Sequence, residues 1–94
     1  MNEKSKKIAS LLKAIAHPIR IKVIRLIFEN QSLSVSEIHT HLNIDQPVIS
    51  LHLGILKKHG VINSKKEGKN SYYYIVNRSV IQIIEIISND YHVN

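Results

Sequence analysis

The stretch from Asp45 to His59, Asp-Gln-Pro-Val-Ile-Ser-Leu-His-Leu-Gly-Ile-Leu-Lys-Lys-His, leaves this chain few folds to choose from. Ile49, Leu53 and Leu56 recur at helical spacing and should face a core. Asp45 suits the N-cap, because its carboxylate can accept from free N–H groups of the first turn. Pro47 fits that turn, where its missing N–H has no intrahelical partner to lose. Lys57 and Lys58 close the helix favourably for its dipole, and Gly60 follows as a C-cap residue. Gln46, Val48, Ser50 and Leu51 lie off the apolar stripe, near the N-terminal end. Alone, this is an ordinary amphipathic helix.

The neighbouring segments give it a context. Ser34-Val35-Ser36-Glu37 is a capping-box pattern, with Ser34 capping a helix and Glu37 reaching back. That helix is short and carries Val35, Ile38 and Leu42. Asn43 ends it and Ile44 plugs the turn before Asp45. Two helices joined so tightly, the second opening on small or amide side chains, form a helix-turn-helix pattern. In that pattern the helix over 45–59 is the one that enters a DNA groove. Beyond Gly60, residues 61–66 and 71–76 read as strands around the polar turn 67–70, with Gly and Asn in the turn and Tyr and β-branched residues in the strands. Tyr73 and Ile75 share one face, Tyr72 and Tyr74 the other. A helix-turn-helix followed by a hairpin is a winged helix, with the wing over 61–76. Between residues 57 and 78 stand Lys57, Lys58, Lys65, Lys66, Lys69 and Arg78 against Glu67 alone. Basic residues at a hairpin also discourage edge-to-edge aggregation, so a merely solvated hairpin is the competing reading.

Three further helices complete the order. Residues 3–15 carry the stripe Ile8, Leu11, Leu12 and Ile15. His17-Pro18 breaks that run, and Ile19, Val23, Ile24, Leu26, Ile27 and Phe28 then cover a wide face of a second helix over 19–29. Residues 79–89 form the last helix, with Val80, Ile83, Ile84 and Ile87 in one stripe widened by Ile81 and Ile86. An isoleucine-rich helix at a chain end, apolar on more than one side, calls for a partner, and the first helix is its natural neighbour. Together they suggest a two-fold dimer interface of Ile8, Leu11, Leu12, Val80, Ile83, Ile84 and Ile87. The alternative is that both helices wrap a monomer core.

A chain of 94 residues makes one small domain, 1–94, mostly α with a small β-hairpin, in the order α-α-α-α-β-β-α. Its formal charge of +6 favours a polyanionic partner. Cysteine is absent, which excludes disulfides and thiolate metal or redox sites. The N-terminus has no signal-peptide pattern and no run is long enough to span a bilayer, so a cytoplasmic protein without membrane association is expected.

With these elements in order, the chain resembles the ArsR/SmtB family of dimeric transcriptional repressors from about Leu12 to Ile87. The resemblance rests on the run from Leu12 through His17-Pro18-Ile19-Arg20, on Ile44 to Leu53, on Leu56-Lys57-Lys58-His59-Gly60-Val61-Ile62, and on Glu67-Gly68-Lys69 with Tyr72-Tyr73. It implies a homodimer that sets two recognition helices in successive major grooves of an imperfect inverted repeat in double-stranded DNA. Carried onto this chain, DNA contacts fall to Gln46, Pro47, Val48, Ser50 and Leu51, with Lys66, Lys69 and Asn70 of the wing at phosphate or the minor groove. Gln46 can read adenine bidentately, and Ser50 can serve base or phosphate. Pro47 stands where the family often has Ser. Leu51 stands where some members have a polar reader, which favours contact with a thymine methyl.

The sensing sites of the family are not carried over. Ser34 and Ser36 occupy the positions of an arsenic-binding Cys-x-Cys, and hydroxyls do not replace thiolates for soft metals. Arg78, Ser79 and Val80 stand where metal-binding Asp and His begin the last helix. Asp90-x-His92 resembles part of a ligand set, but lies in the tail 90–94, which is expected to fray. His39 and His41 point about 200° apart on their helix and do not chelate together. His52 and His59 can share a face but lack nearby carboxylates or Cys. For His52 a structural hydrogen bond is expected, and a histidine-driven pH response stays open. No metal, cofactor or catalytic residue is expected. A DNA-binding repressor without enzymatic activity is the leading reading, controlled by an unidentified small-molecule or protein effector or by its own abundance. The competitors are a winged helix for protein or RNA contact, and an architectural DNA binder of low sequence preference.

Overall fold

The computed structural model describes residues 3–91. Among them the elements run α1 (Glu3–Ile15), α2 (Pro18–Asn30), β1 (Leu33–Ser34), α3 (Val35–Leu42), α4 (Gln46–Lys58), β2 (Ile62–Glu67), β3 (Asn70–Ile75) and α5 (Arg78–Ser88). Helix α2 is the pillar. Pro18 opens it, and His17 caps it by accepting the Ile19 N–H at Nδ1, 3.0 Å away. Val23, Ile24 and Ile27 are wholly shielded from water, and α3, α4, α5 and β3 all pack on this helix. The wide apolar face read from the sequence is thus used in full, except that Phe28 stays exposed. The helix ends in a tight reversal. Gln31 has φ +70° and ψ −51°, and the Ser32 N–H donates to the Asn30 carbonyl at 2.8 Å. This is the rare γ-turn geometry, strained for a residue with a Cβ.

The reversal delivers Leu33 and Ser34 to the sheet. They pair antiparallel with Tyr73 and Tyr72, so the strand order is β1-β3-β2. The hairpin is therefore extended by a third, two-residue strand, too short to leave a period in the sequence. Ser34 then serves twice. It ends β1 and caps α3, accepting the Glu37 N–H at 3.1 Å while the Glu37 carboxylate accepts the Ser34 N–H at 2.9 Å. Asn43 closes α3 in the left-handed conformation (φ +54°), its N–H on the His39 carbonyl. Ile44 packs against the core, and His39 Nδ1–H donates to its carbonyl at 2.7 Å.

Helix α4 follows at once, but Asp45 does not cap it with its side chain. The reason is local. Pro47 has no N–H to offer, and the Val48 and Ile49 N–H groups are already taken by the Asp45 carbonyl at 3.0 and 3.1 Å. The far end is closed by a Schellman motif. The Val61 N–H reaches the Leu56 carbonyl and the Gly60 N–H that of Lys57, with Gly60 at φ +73°. Val61 is then buried beside Leu56 as β2 begins. In the hairpin, Gly68 takes φ +62° at the first loop position, the glycine position of a type II′ turn. Tyr73 and Ile75 share a face as expected, and that face packs against the core.

Asn77 caps α5 by accepting the Ser79 N–H. Val80, Ile81 and Ile84 are buried within the protomer, so Val80 and Ile84 belong first to its own core. Helix α1 buries only Ala14 and Ile15. Its stripe otherwise faces solvent, with Ile8 50% and Leu12 43% exposed and Leu11 half-buried. A cleft of about 630 Å³ runs between α1, α2 and α5, walled by Leu12, Ile15, Ile21, Ile83, Ile84 and Ile87.

The capping box is the best defined local anchor of the helix-turn-helix. Ser34→Ala should lower stability by about 1 kcal/mol, measured as a shifted midpoint in urea denaturation with an unchanged slope.

Candidate nucleic-acid interface

Helix α4 is divided along its length. Ile49, His52, Leu53 and Leu56 are buried, anchoring the helix on α2 and α3. Gln46, Pro47, Ser50, Leu51 and Gly54 are exposed, and Val48 is half-buried. The exposed set recurs at 47, 50, 51 and 54, a continuous stripe along one side. Leu51 is 62% exposed, an unusual position for a large apolar side chain on a helix so well anchored. Of the five α4 residues singled out in the sequence, four are exposed on the first two turns and Val48 is half-buried there.

The wing adds cations. Lys65, Lys66, Lys69 and Asn70 are exposed on the hairpin. Among the described residues only Arg25 and Glu85 form an ion pair, at 3.9 Å, so no wing lysine is neutralised by a carboxylate. Lys57 Nζ–H donates to Ser64 Oγ at 2.9 Å, tying the last turn of α4 to β2. With the Schellman closure, this bond fixes the wing relative to the recognition helix.

Behind α4 lies a basic cluster, His52 buried and His17 and Arg20 half-buried, that sequence reading did not assemble. The His52 ring packs on the His17 ring with centroids 4.6 Å apart and planes at 41°. His52 Nδ1 has no hydrogen-bond partner, against the structural hydrogen bond expected for it, and Arg20 Nε nearby is likewise buried without one. Burial, then the neighbouring His17 and Arg20, hold the His52 imidazole below its ordinary pKa, so it is neutral at pH 7. The histidine of His17-Pro18 and the one in the α4 core were each visible in the sequence. Their meeting depended on how α2 crosses α4.

Two further histidines are bonded locally, and His41 is exposed. His39 braces the α3–α4 turn, and His59 Nδ1–H donates to the Ile55 carbonyl at 3.0 Å. His52 and His59 do not converge, since His52 is turned to His17. No cluster of three or more metal-ligating side chains occurs among the described residues. Ser34 is committed to the cap of α3. His92 of the Asp90-x-His92 pair lies outside the described residues. No helix among them is long and apolar enough to cross a membrane.

A tightly turned helix pair, a recognition helix with a free stripe and a basic three-stranded wing define a winged helix-turn-helix DNA-binding protein. Residues 17–64 match the family model described as bacterial regulatory protein, arsR family. The chain is 42% identical over 85 residues to an HTH-type transcriptional regulator of Methanocaldococcus jannaschii, covering 90% of this chain and 96% of that protein. It superposes on the crystal structure of PagR, a transcriptional repressor of Bacillus anthracis, with TM-score 0.81 and 31% identity, covering 89% of this chain and 95% of that one. The structure of HlyU from Vibrio cholerae gives TM-score 0.85 and 32% identity, covering 97% and 98%; HlyU is described as a transcriptional activator. The chain belongs to the ArsR family and is a DNA-binding transcriptional regulator.

The His52 environment sets a pH dependence. The unfolded chain takes up a proton at the ordinary imidazole pKa, before the folded chain does. Stability is therefore intact above about pH 6.5 and falls as pH drops through that value toward the lowered folded one. Urea denaturation at pH 7.5 and 5.5 should show this loss in the parent chain and a smaller loss in His52→Gln.

Proposed function

We propose that the chain acts as a homodimeric repressor, occupying an imperfect inverted repeat in the cytoplasm and blocking transcription by occupancy rather than by catalysis. The observation that carries this reading is the free stripe of α4 on a helix otherwise locked into the core. Gln46 offers an amide fork for a base edge and Ser50 a hydroxyl for base or phosphate. Pro47, Val48 and Leu51 supply shape and apolar contact. Lys66, Lys69 and Asn70 reach phosphate or the adjacent minor groove, fixing register more than sequence. The domain so defined runs over 1–94, with the recognition helix over 45–59 and the wing over 61–76.

The dimer rests on α1 and α5, over 3–15 and 79–89. Ile8, Leu11, Leu12, Ile83 and Ile87 form the contact surface, and Val80 and Ile84 support it from beneath. A small domain that leaves Ile87 52% exposed beside Leu12 and the apolar cleft has reason to cover them with a second copy. No metal is assigned to the site, and control falls to an effector not defined by these residues or to the protein's abundance.

Fluorescence anisotropy tests the DNA reading. A duplex from the gene's own upstream region should bind about 10³-fold or more tighter than a random duplex. Lys66→Ala and Lys69→Ala should each weaken both and lower the salt slope by about 1. A salt slope unmoved by either variant would point to a protein or RNA partner for the wing instead. Ile87→Glu, at an exposed site, should keep the circular dichroism of the parent chain but sediment as a monomer and bind the inverted repeat poorly. A variant that remains a dimer removes α5 from the interface.

A further inference from the structure

The recognition helix lacks one kind of chemistry altogether. From Gln46 to Leu56 it carries no Arg, Lys, Asp or Glu. His52, the one titratable side chain in that span, is buried against His17 and faces away from any groove. Lys57, the first cation along the helix, sits in its last turn and is bonded to Ser64. The commonest specific contact in a major groove, a cation donating to guanine O6 and N7, therefore has no donor here, and the contact that takes a hydrogen bond from cytosine N4–H has no carboxylate acceptor.

What the stripe does hold is the complementary set. Gln46 matches adenine N6 and N7. Leu51 stands out into solvent at the centre of the stripe, and Val48 lies on the same half of the helix. Gly54, one turn after Leu51 and Ser50, keeps the stripe low. A Cβ built there would meet nothing within 4 Å, so no neighbour within the protomer requires a glycine. A glycine inside a helix costs about 1 kcal/mol relative to alanine, and close approach of another molecule is what it offers in exchange. The wing points the same way. Its Lys66 and Lys69, without a carboxylate partner among the described residues, suit the narrow, strongly negative minor groove of A-tracts.

We infer that the chain reads A·T base pairs, with Leu51 as the residue that selects thymine by enclosing its C5-methyl group and Gln46 as the reader of adenine. This rests on the docking of α4 in the major groove proposed above. Only Leu51 presents a large apolar side chain from the exposed stripe, and only thymine presents a methyl group in the major groove.

Removing that methyl is the test. The full-length protein is used to select duplexes from a random pool, and the best duplex is rebuilt with deoxyuridine in place of each thymine in turn. The selected half-sites should hold A·T pairs at the α4 contacts. Deoxyuridine at one thymine of a half-site should weaken binding about fourfold, the worth of one buried methyl group. Leu51→Ala, at an exposed site, should bind the thymine duplex more weakly by a similar factor and no longer distinguish thymine from deoxyuridine. Half-sites fixed as G·C, or affinities indifferent to deoxyuridine in the parent chain, would overturn the inference while leaving sequence-specific binding in place. A pool that yields no preferred sequence would overturn the docking of α4 as well.

Discussion

The burial of one face of α2 is the constraint on which the rest of the molecule depends. Val23, Ile24 and Ile27 are wholly out of water, and α3, α4 and β3 all touch the helix that carries them. Interiors of this kind are close-packed and deform little, so the elements resting on them inherit fixed angles. The angle of α4 is set there, by Ile49, Leu53 and Leu56. What α4 shows to the outside is a by-product of what it gives to α2.

Both ends of the recognition helix are then fastened without its own side-chain cap. At the front, Asn43 in the left-handed conformation and the His39 bond to Ile44 hold the turn. At the rear, the Schellman closure runs directly into β2, and Lys57 reaches Ser64. The exposed stripe and the wing are thus held by short hydrogen bonds within a single protomer. Helix α1 buries only Ala14 and Ile15, and the apolar cleft opens between it, α2 and α5.

Local chemistry was the legible part of the sequence. The Ser34–Glu37 box, Asn43, Gly60 and Gly68 each act within a few residues, and each occurs where its residue type places it. Strand alternation put Tyr73 and Ile75 on one face, and the fold turned that face inward. Asp45 misled for an equally local reason, since a proline two residues on and a backbone carbonyl removed the donors it would have capped. Strand β1 was beyond reach because two residues carry no period, and its pairing with Tyr72 and Tyr73 is set by the γ-turn at Gln31. The division of α5 was also hidden. Val80, Ile83, Ile84 and Ile87 form one stripe in sequence, and only the position of α2 beneath it decides that Val80 and Ile84 are covered while Ile87 is not. The exposed stripe of α4, by contrast, could be read as the residues that the core had no use for.

The contact between His17 and His52 joins the corner after α1 to the middle of the recognition helix. It is made of two ring surfaces, with no hydrogen bond from His52 Nδ1. Such a contact is mechanically one-sided. Repulsion between packed atoms rises steeply on approach, whereas the attraction lost on parting is shallow. A shift of the corner toward α4 is passed on to the helix as a push, but a shift away simply opens a gap. The linkage works as a stop rather than a tether.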